Sequence, residues 1–239
     1  MTYTKPVISL PAVCQTPPEA QYTVIFLHGL GDSGQGWSFI ASAARNYKLD
    51  HFNFIFPSAP DIPSSLNFGM VIPAWYDLKS LHNVRADEDV DSIEMSLEYV
   101  TLLVEEEVTR GVPMEHIIVG GFSQGCALSL LLAATLGERM GGFIGLSGYI
   151  PMLDTVKHIN CTDPDLARAN STTPIFLAHG EKDNAIKFEL SRENEACLRD
   201  WGFQDITYKQ YKGLSHSTND EEIDDVMKWL VRVSELELA

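Results

Sequence analysis

Short apolar runs bounded by Gly, Pro or Asn recur along the chain at residues 23–29 (TVIFLHG), 52–57 (FNFIFP), 116–122 (HIIVGGF), 142–148 (GFIGLSG), 173–180 (TPIFLAHG) and 206–211 (ITYKQY). Most are apolar throughout, which predicts buried strands. Helical periods lie between several of them. The clearest places Val90, Ile93, Leu97, Val100, Val104 and Val108 on one face, with Glu94, Glu98, Glu105 and Glu106 mostly elsewhere, and Gly111 and Pro113 stop it. A second helix is expected to follow a turn at Ser123 and to run from Ala127 to Leu136, closed by Gly137. A third, near 219–236, carries Ile223, Val226, Leu230 and Val233. Parallel strands need crossover connections, so this alternation predicts an α/β fold with a mainly parallel central sheet and helices on both faces. Without an internal repeat, a low-complexity linker or a compositional break, residues 1–239 read as one domain. The Pro/Ser/Asn-rich passage 57–77 is the main irregular insertion. Its apolar members Leu66, Met70, Val71, Ile72 and Trp75 are too many for a solvated loop: they either cap the core or wall a substrate site.

Charge narrows the classes. Seventeen Lys+Arg against 33 Asp+Glu leave a formal charge of -16, which repels phosphate backbones and argues against nucleic acid as a partner. The same charge opposes docking on anionic lipid, yet it can steer a cation or a polybasic protein toward the surface. The four cysteines, Cys14, Cys126, Cys161 and Cys197, form no CxxC pair, and the first residues show no cationic-then-apolar leader. A reduced, soluble, unanchored intracellular protein is the expectation, with at most transient membrane contact.

The chemistry centres on Gly121-Phe122-Ser123-Gln124-Gly125, set between an apolar strand and an Ala/Leu helix. A nucleophile lifted onto a sharp strand-to-helix turn brings the two backbones too close for side chains at plus and minus two, hence GxSxG. Serine needs an imidazole to take its proton and a carboxylate to orient that imidazole. In hydrolases built this way the partners follow in the order Ser, Asp or Glu, His. Asp183 follows the strand at 173–180, and His216 follows the strand at 206–211. His28 and His179 also end strands, but each precedes the group it would have to follow, so both are expected to orient loops. The oxyanion donors are expected from the backbone amides of Leu30, in the turn HGLGDSGQGW, and of Gln124.

That turn also matches GxGxxG, the dinucleotide fingerprint, through Gly29, Gly31 and Gly34. The fingerprint wants an acidic residue after the next strand to hold the ribose, where Pro57 and Ser58 stand instead. No GK[ST] marks a phosphate loop, and no HExxH or paired CxxC marks a metal. No cofactor and no metal are expected.

In sum, HGLGDSGQGW, FPSAPDIPSSLNFGMVIPAWYD, GGFSQGCALSL, LSGYIP, HGEKD and GLSHS, in this order over about residues 22–230, resemble the acyl-protein thioesterases and related carboxylesterases or lysophospholipases of the α/β-hydrolase fold. The resemblance implies Ser123, Asp183 and His216 as a triad and the Leu30 and Gln124 amides as the oxyanion hole. It also implies a cytosolic enzyme, cytoplasmic and nuclear, that acts on S-acylated proteins and releases palmitoyl groups through an acyl-serine intermediate. A carboxylesterase for small soluble esters shares every one of these residues, and a catalytically silent binding protein would lack some. Leu66, Met70, Ile72 and Trp75, with Leu30, are expected to line the acyl groove, and self-association is expected to be no more than a weak homodimer. Three departures stand out: Ser58 where the family commonly has His, Cys126 where it has Gly, and Asn184 where it has Pro, which is expected to loosen the acid loop.

Overall fold

The computed structural model describes residues 2–5, 7–13, 17–18 and 21–236. Seven strands form one sheet: β1 (Ile8–Leu10), β2 (Tyr22–Leu27), β3 (Phe52–Phe56), β6 (Ile117–Phe122), β7 (Gly142–Leu146), β8 (Ile175–Gly180) and β9 (Ile206–Tyr211), in the order β1-β3-β2-β6-β7-β8-β9. All pairs are parallel except β1 with β3. Strand periodicity divides the core in two. Val24 and Phe26 of β2 point to one face, against Ile40 and Ala44 of α2 (Phe39–Arg45) and Val226, Trp229 and Leu230 of α8 (Asp220–Leu236). Ile25 and Leu27 point to the other face. There they join Ile93, Val100 and Val104 of α3 (Val90–Thr109), Leu128 of α4 (Gln124–Thr135), Val156 of α5 (Leu153–Thr162) and Leu198 of α7 (Phe188–Asp200). This is the α/β-hydrolase arrangement, with helices on both faces of a mostly parallel sheet.

Local sequence explains the elements that carry the site. Helix α4 buries every residue from Gln124 to Ala134, which is why it is apolar all round instead of striped. Helix α3 is capped by Asp89, whose side chain accepts from the Ser92 amide at 3.4 Å, and it ends at Thr109 before Gly111. Helix α1 (Gly34–Trp37) is a single turn, and α6 (Pro164–Ala169) lies between α5 and β8.

The passage 57–77 is more ordered than its composition suggests. Strands β4 (Asp61–Ser64) and β5 (Met70–Pro73) pair antiparallel, Ile62 with Ile72 and Pro63 with Val71, across a 3-10 turn at Ser65–Asn67. Pro63 cannot donate to a ladder, and a separate two-stranded hairpin tolerates it where a central strand would not. Among the described residues no helix is long and apolar enough to cross a membrane. Cys14 lies outside the described residues; Cys126, Cys161 and Cys197 are free thiols.

Candidate active site

Ser123 sits at the carboxyl end of β6, on the turn into α4, with φ 57° and ψ -113°. A non-glycine residue is held there only when its surroundings dictate it. Two constraints do so. The Ser123 amide donates to the Leu146 carbonyl of β7 at 2.9 Å, and its own carbonyl starts the α4 ladder at Ala127. The flanking glycines are required by close approach: a Cβ on Gly125 would lie 2.1 Å from the Leu27 carbonyl oxygen, and one on Gly121 2.4 Å from the Gly125 backbone.

His216 comes from the loop between β9 and α8, and Asp183 from the loop after β8. The Ser123 hydroxyl donates to His216 Nε2 at 3.0 Å, and His216 Nδ1–H donates to Asp183 Oδ2 at 2.7 Å. The carboxylate fixes the tautomer, because it leaves Nε2 as the basic nitrogen facing the hydroxyl. The other oxygen of Asp183 accepts from the Ala185 amide at 2.9 Å and the Ile186 amide at 2.8 Å. Burial alone would push the Asp183 carboxyl up. The hydrogen bonds from His179, His216 and the Ile186 amide, with the electrostatic attraction of His216, together outweigh it and hold the group well below the usual carboxylate range. The turn of amides on Asp183 also shows how the acid loop stays fixed with Asn184 in place of proline.

The two loops are sewn together. Glu181 N donates to Tyr211 O at 3.0 Å, and Lys182 N donates to Leu214 O at 2.9 Å. Gly180 permits this: a Cβ there would lie 2.3 Å from the Leu214 carbonyl oxygen. The Phe122 ring packs against the His216 ring at 4.8 Å between centroids.

Of the two residues expected to supply oxyanion donors, Gln124 directly follows the nucleophile and Leu30 lines the same cavity as Ser123. Gln124 opens α4, where the first amides have no intrahelical acceptor. In the turn after β2, Gly31 N donates to Pro73 O at 2.8 Å and Asp32 N to Gly29 O at 3.3 Å, bonds that do not use the Leu30 amide. His28, wholly buried, donates from Nδ1 to Gly29 O at 2.7 Å and accepts the Ala59 amide on Nε2 at 2.9 Å. Burial lowers its pKa, in keeping with a neutral ring.

Beside Ser123 opens a cavity of about 390 Å³, lined among others by Leu30, Leu66, Leu78, Leu81, Ala185 and Ile186, together with Trp37 and Phe122. Of the residues expected to form the groove, Leu66 and Leu30 line this cavity. Trp75 is not. It is fully buried, with its indole N–H donating to the His28 carbonyl at 2.9 Å and its ring between Tyr3, Tyr99 and His28, so it caps the core under the site. An indole goes inside when its one donor finds an acceptor. Met70 is 59% exposed on β5, and Ile72, half-buried, faces Gly31; neither lines the cavity. Sequence reasoning missed Leu78 and Leu81, in the loop between β5 and α3, and Ile186, in the loop after β8, which no strand or helix period marks.

The other departures are accommodated. Ser58 Oγ accepts the Gly34 amide at 3.0 Å. Cys126 is fully buried against Gly145 and Gly148, and burial pushes its thiol far above the usual value, so it packs as a small apolar residue.

Residues 9–234 match the phospholipase/carboxylesterase family. The acyl-protein thioesterase 1 of Yarrowia lipolytica is 45% identical over 224 residues, 92% of this chain and 96% of that protein. That of Candida albicans is 37% identical, over 90% and 94% respectively. The crystal structure of acyl-protein thioesterase 2 from Zea mays superposes with a TM-score of 0.82 at 29% identity, covering 96% of this chain and 99% of that one. With its fold, its GxSxG turn and these relatives, the chain belongs to the phospholipase/carboxylesterase family of α/β-hydrolases.

Proposed function

We propose that the protein hydrolyses the thioester linking a palmitoyl or similar long acyl group to protein cysteines. The observation that carries this reading is the hydrogen-bonded run Ser123–His216–Asp183 opening directly onto an apolar cavity. Relatives named acyl-protein thioesterase 1 support the substrate class.

In this reading Ser123 Oγ attacks the thioester carbonyl while His216 Nε2 takes its proton. Asp183 orients the ring and stabilises the imidazolium. The Leu30 and Gln124 amides donate to the oxyanion of the tetrahedral intermediate. Its collapse breaks the C–S bond, and the proton on His216 passes to the departing cysteine sulfur. Water, deprotonated by His216, then attacks the acyl-Ser123 carbonyl; collapse breaks the acyl C–Oγ bond, releases the fatty acid, and returns the proton from His216 to Ser123 Oγ. Each methylene moved from water into the cavity contributes about 0.8 kcal/mol, whereas transfer from a bilayer is nearly neutral. The acidic surface suits substrates whose acylated cysteine lies among basic residues.

The second reading, a carboxylesterase for small soluble esters, fits the family description and the same residues. The test is mass-spectrometric release of palmitate from an S-palmitoylated basic peptide, beside a short-chain oxyester and with Ser123→Ala as control. Rapid Ser123-dependent deacylation of the peptide is expected. Turnover of the oxyester alone moves the function to a small-ester carboxylesterase.

A further inference from the structure

His179 is the penultimate residue of β8 and is wholly buried. Its Nε2 lies 2.8 Å from the Ile186 carbonyl oxygen and 3.2 Å from Asp183 Oδ2, the oxygen that also receives His216 at 2.7 Å. Two acceptors facing one ring nitrogen demand that this nitrogen carry the hydrogen. The other nitrogen, Nδ1, is buried and has no hydrogen-bond partner among the described residues. Nδ1 finds no acceptor for a hydrogen there, so the tautomer is fixed with its hydrogen on Nε2.

We infer that His179 is a positioning residue: by donating to the same carboxylate oxygen as His216, it shares the Asp183 charge between two rings and so sets the pH range in which His216 works as a base. The inference rests on the reading of Asp183 and His216 given above. With Oδ1 engaged by the Ala185 and Ile186 amides, the Asp183 rotamer is closed, and Oδ2 is the only oxygen left for both rings. The titratable groups that meet at Asp183 are His179 from β8 and His216 from the loop after β9. Phe188 of α7 packs its ring 6.1 Å from that of His179, and Phe122 and Ser123 of the β6–α4 turn meet His216; none of these three brings a charge. Burial opposes the Asp183 charge and both rings favour it. Withdrawing one donor from Oδ2 leaves more of the charge to the other, which stabilises the His216 imidazolium.

The test compares the pH profile of kcat/KM on a soluble short-chain oxyester for wild type, His179→Leu and His179→Gln. In His179→Leu the acid limb is expected to move upward by about half to one pH unit, and in His179→Gln, which keeps an N–H in place, by less than half of that. A purely structural tie between β8 and Ile186 would lower stability or kcat and leave the limb where it was, which overturns the inference. If His179→Leu does not fold, nitrogen-15 NMR of wild-type histidines decides. His179 Nε2 and Hε2 resonances that move as His216 titrates support the sharing, and resonances fixed across that titration, or an Nδ1-protonated ring, overturn it. That readout needs no turnover, so it stays separate from any failure of the Ser123 mechanism.

Discussion

The side chain of Gln124 holds the backbone of Trp75: its Oε1 accepts the Trp75 amide at 3.1 Å, and its Nε2 donates to the next carbonyl, Tyr76 O, at 2.8 Å. Trp75 in turn donates from its indole to His28 O, and Pro73 O accepts the Gly31 amide. The residue that directly follows the nucleophile therefore fixes, through its side chain, the turn that carries the Leu30 amide. Both ends of the clamp are buried. Gln124→Ala leaves an amide and a carbonyl unpaired there, at about 1–3 kcal/mol each before relaxation. We expect a lower urea midpoint and a fall in kcat of about tenfold or more with KM little changed. Unchanged kcat and midpoint would show that the clamp does not position the site.

Gly180 tests the coupling of the acid and histidine loops. Gly180→Ala forces the Leu214 carbonyl away and with it the register of His216 against Asp183. A loss of kcat on the order of 100-fold with a native far-UV spectrum is expected. Gly137→Ala, whose Cβ would meet only Leu166 at 3.6 Å, serves as the control and keeps wild-type kinetics.

The cavity predicts which apolar residues of the 57–77 passage read acyl length. Leu66→Ala removes lining carbons and is expected to lower kcat/KM for a long acyl thioester about 5- to 30-fold, with little effect on a short one. Met70→Ala, on the exposed side of the hairpin, leaves both unchanged in a detergent-free peptide assay. The reverse pattern would return the groove to β5.

Glu222, at the start of α8, is fully buried with neither carboxyl oxygen hydrogen-bonded among the described residues, and its pKa is raised to about 8 by burial and, less so, by Asp225. The ordinary value is 4.5, so between these two the unfolded chain releases a proton that the folded one keeps. Stability linked to this group is therefore full below the ordinary value and is lost as pH rises to about 8, by a total on the order of 5 kcal/mol. Urea midpoints of wild type should fall over that window, and those of Glu222→Gln should fall less. Identical pH dependence in the two proteins would place the carboxyl in contact with water.

The parallel strands were legible because a strand buried on both faces spells itself as an apolar run between Gly and Pro, and α3 because one of its faces stays wet. Helix α7 was not legible. Its buried face includes Ser191 and Asn194, and Asn194 earns its place by donating to Gly148 O at 3.1 Å and accepting the Ile150 amide at 3.0 Å, so no apolar stripe marks it. The three-residue edge strand β1 is too short to show a period, and Pro63 hides β4. At the site, Ser123, Asp183 and His216 were readable because chain order and strand ends constrain them. Trp75 was misplaced because the apolar string from Met70 to Trp75 does not say which residues turn inward. Gln124 carries its second role in a contact between distant segments, and His179 carries its own against the acid loop four to seven residues on, which an apolar strand pattern does not mark.

The central claim is that Ser123 forms the acyl-enzyme. Its most direct test is intact-mass and peptide mass spectrometry of the protein acid-quenched during turnover of an S-palmitoylated peptide, for wild type and Ser123→Ala. The account predicts one palmitoyl mass added on the peptide containing Ser123 in wild type, with neither adduct nor palmitate release in Ser123→Ala. Palmitate release that persists in Ser123→Ala would contradict it.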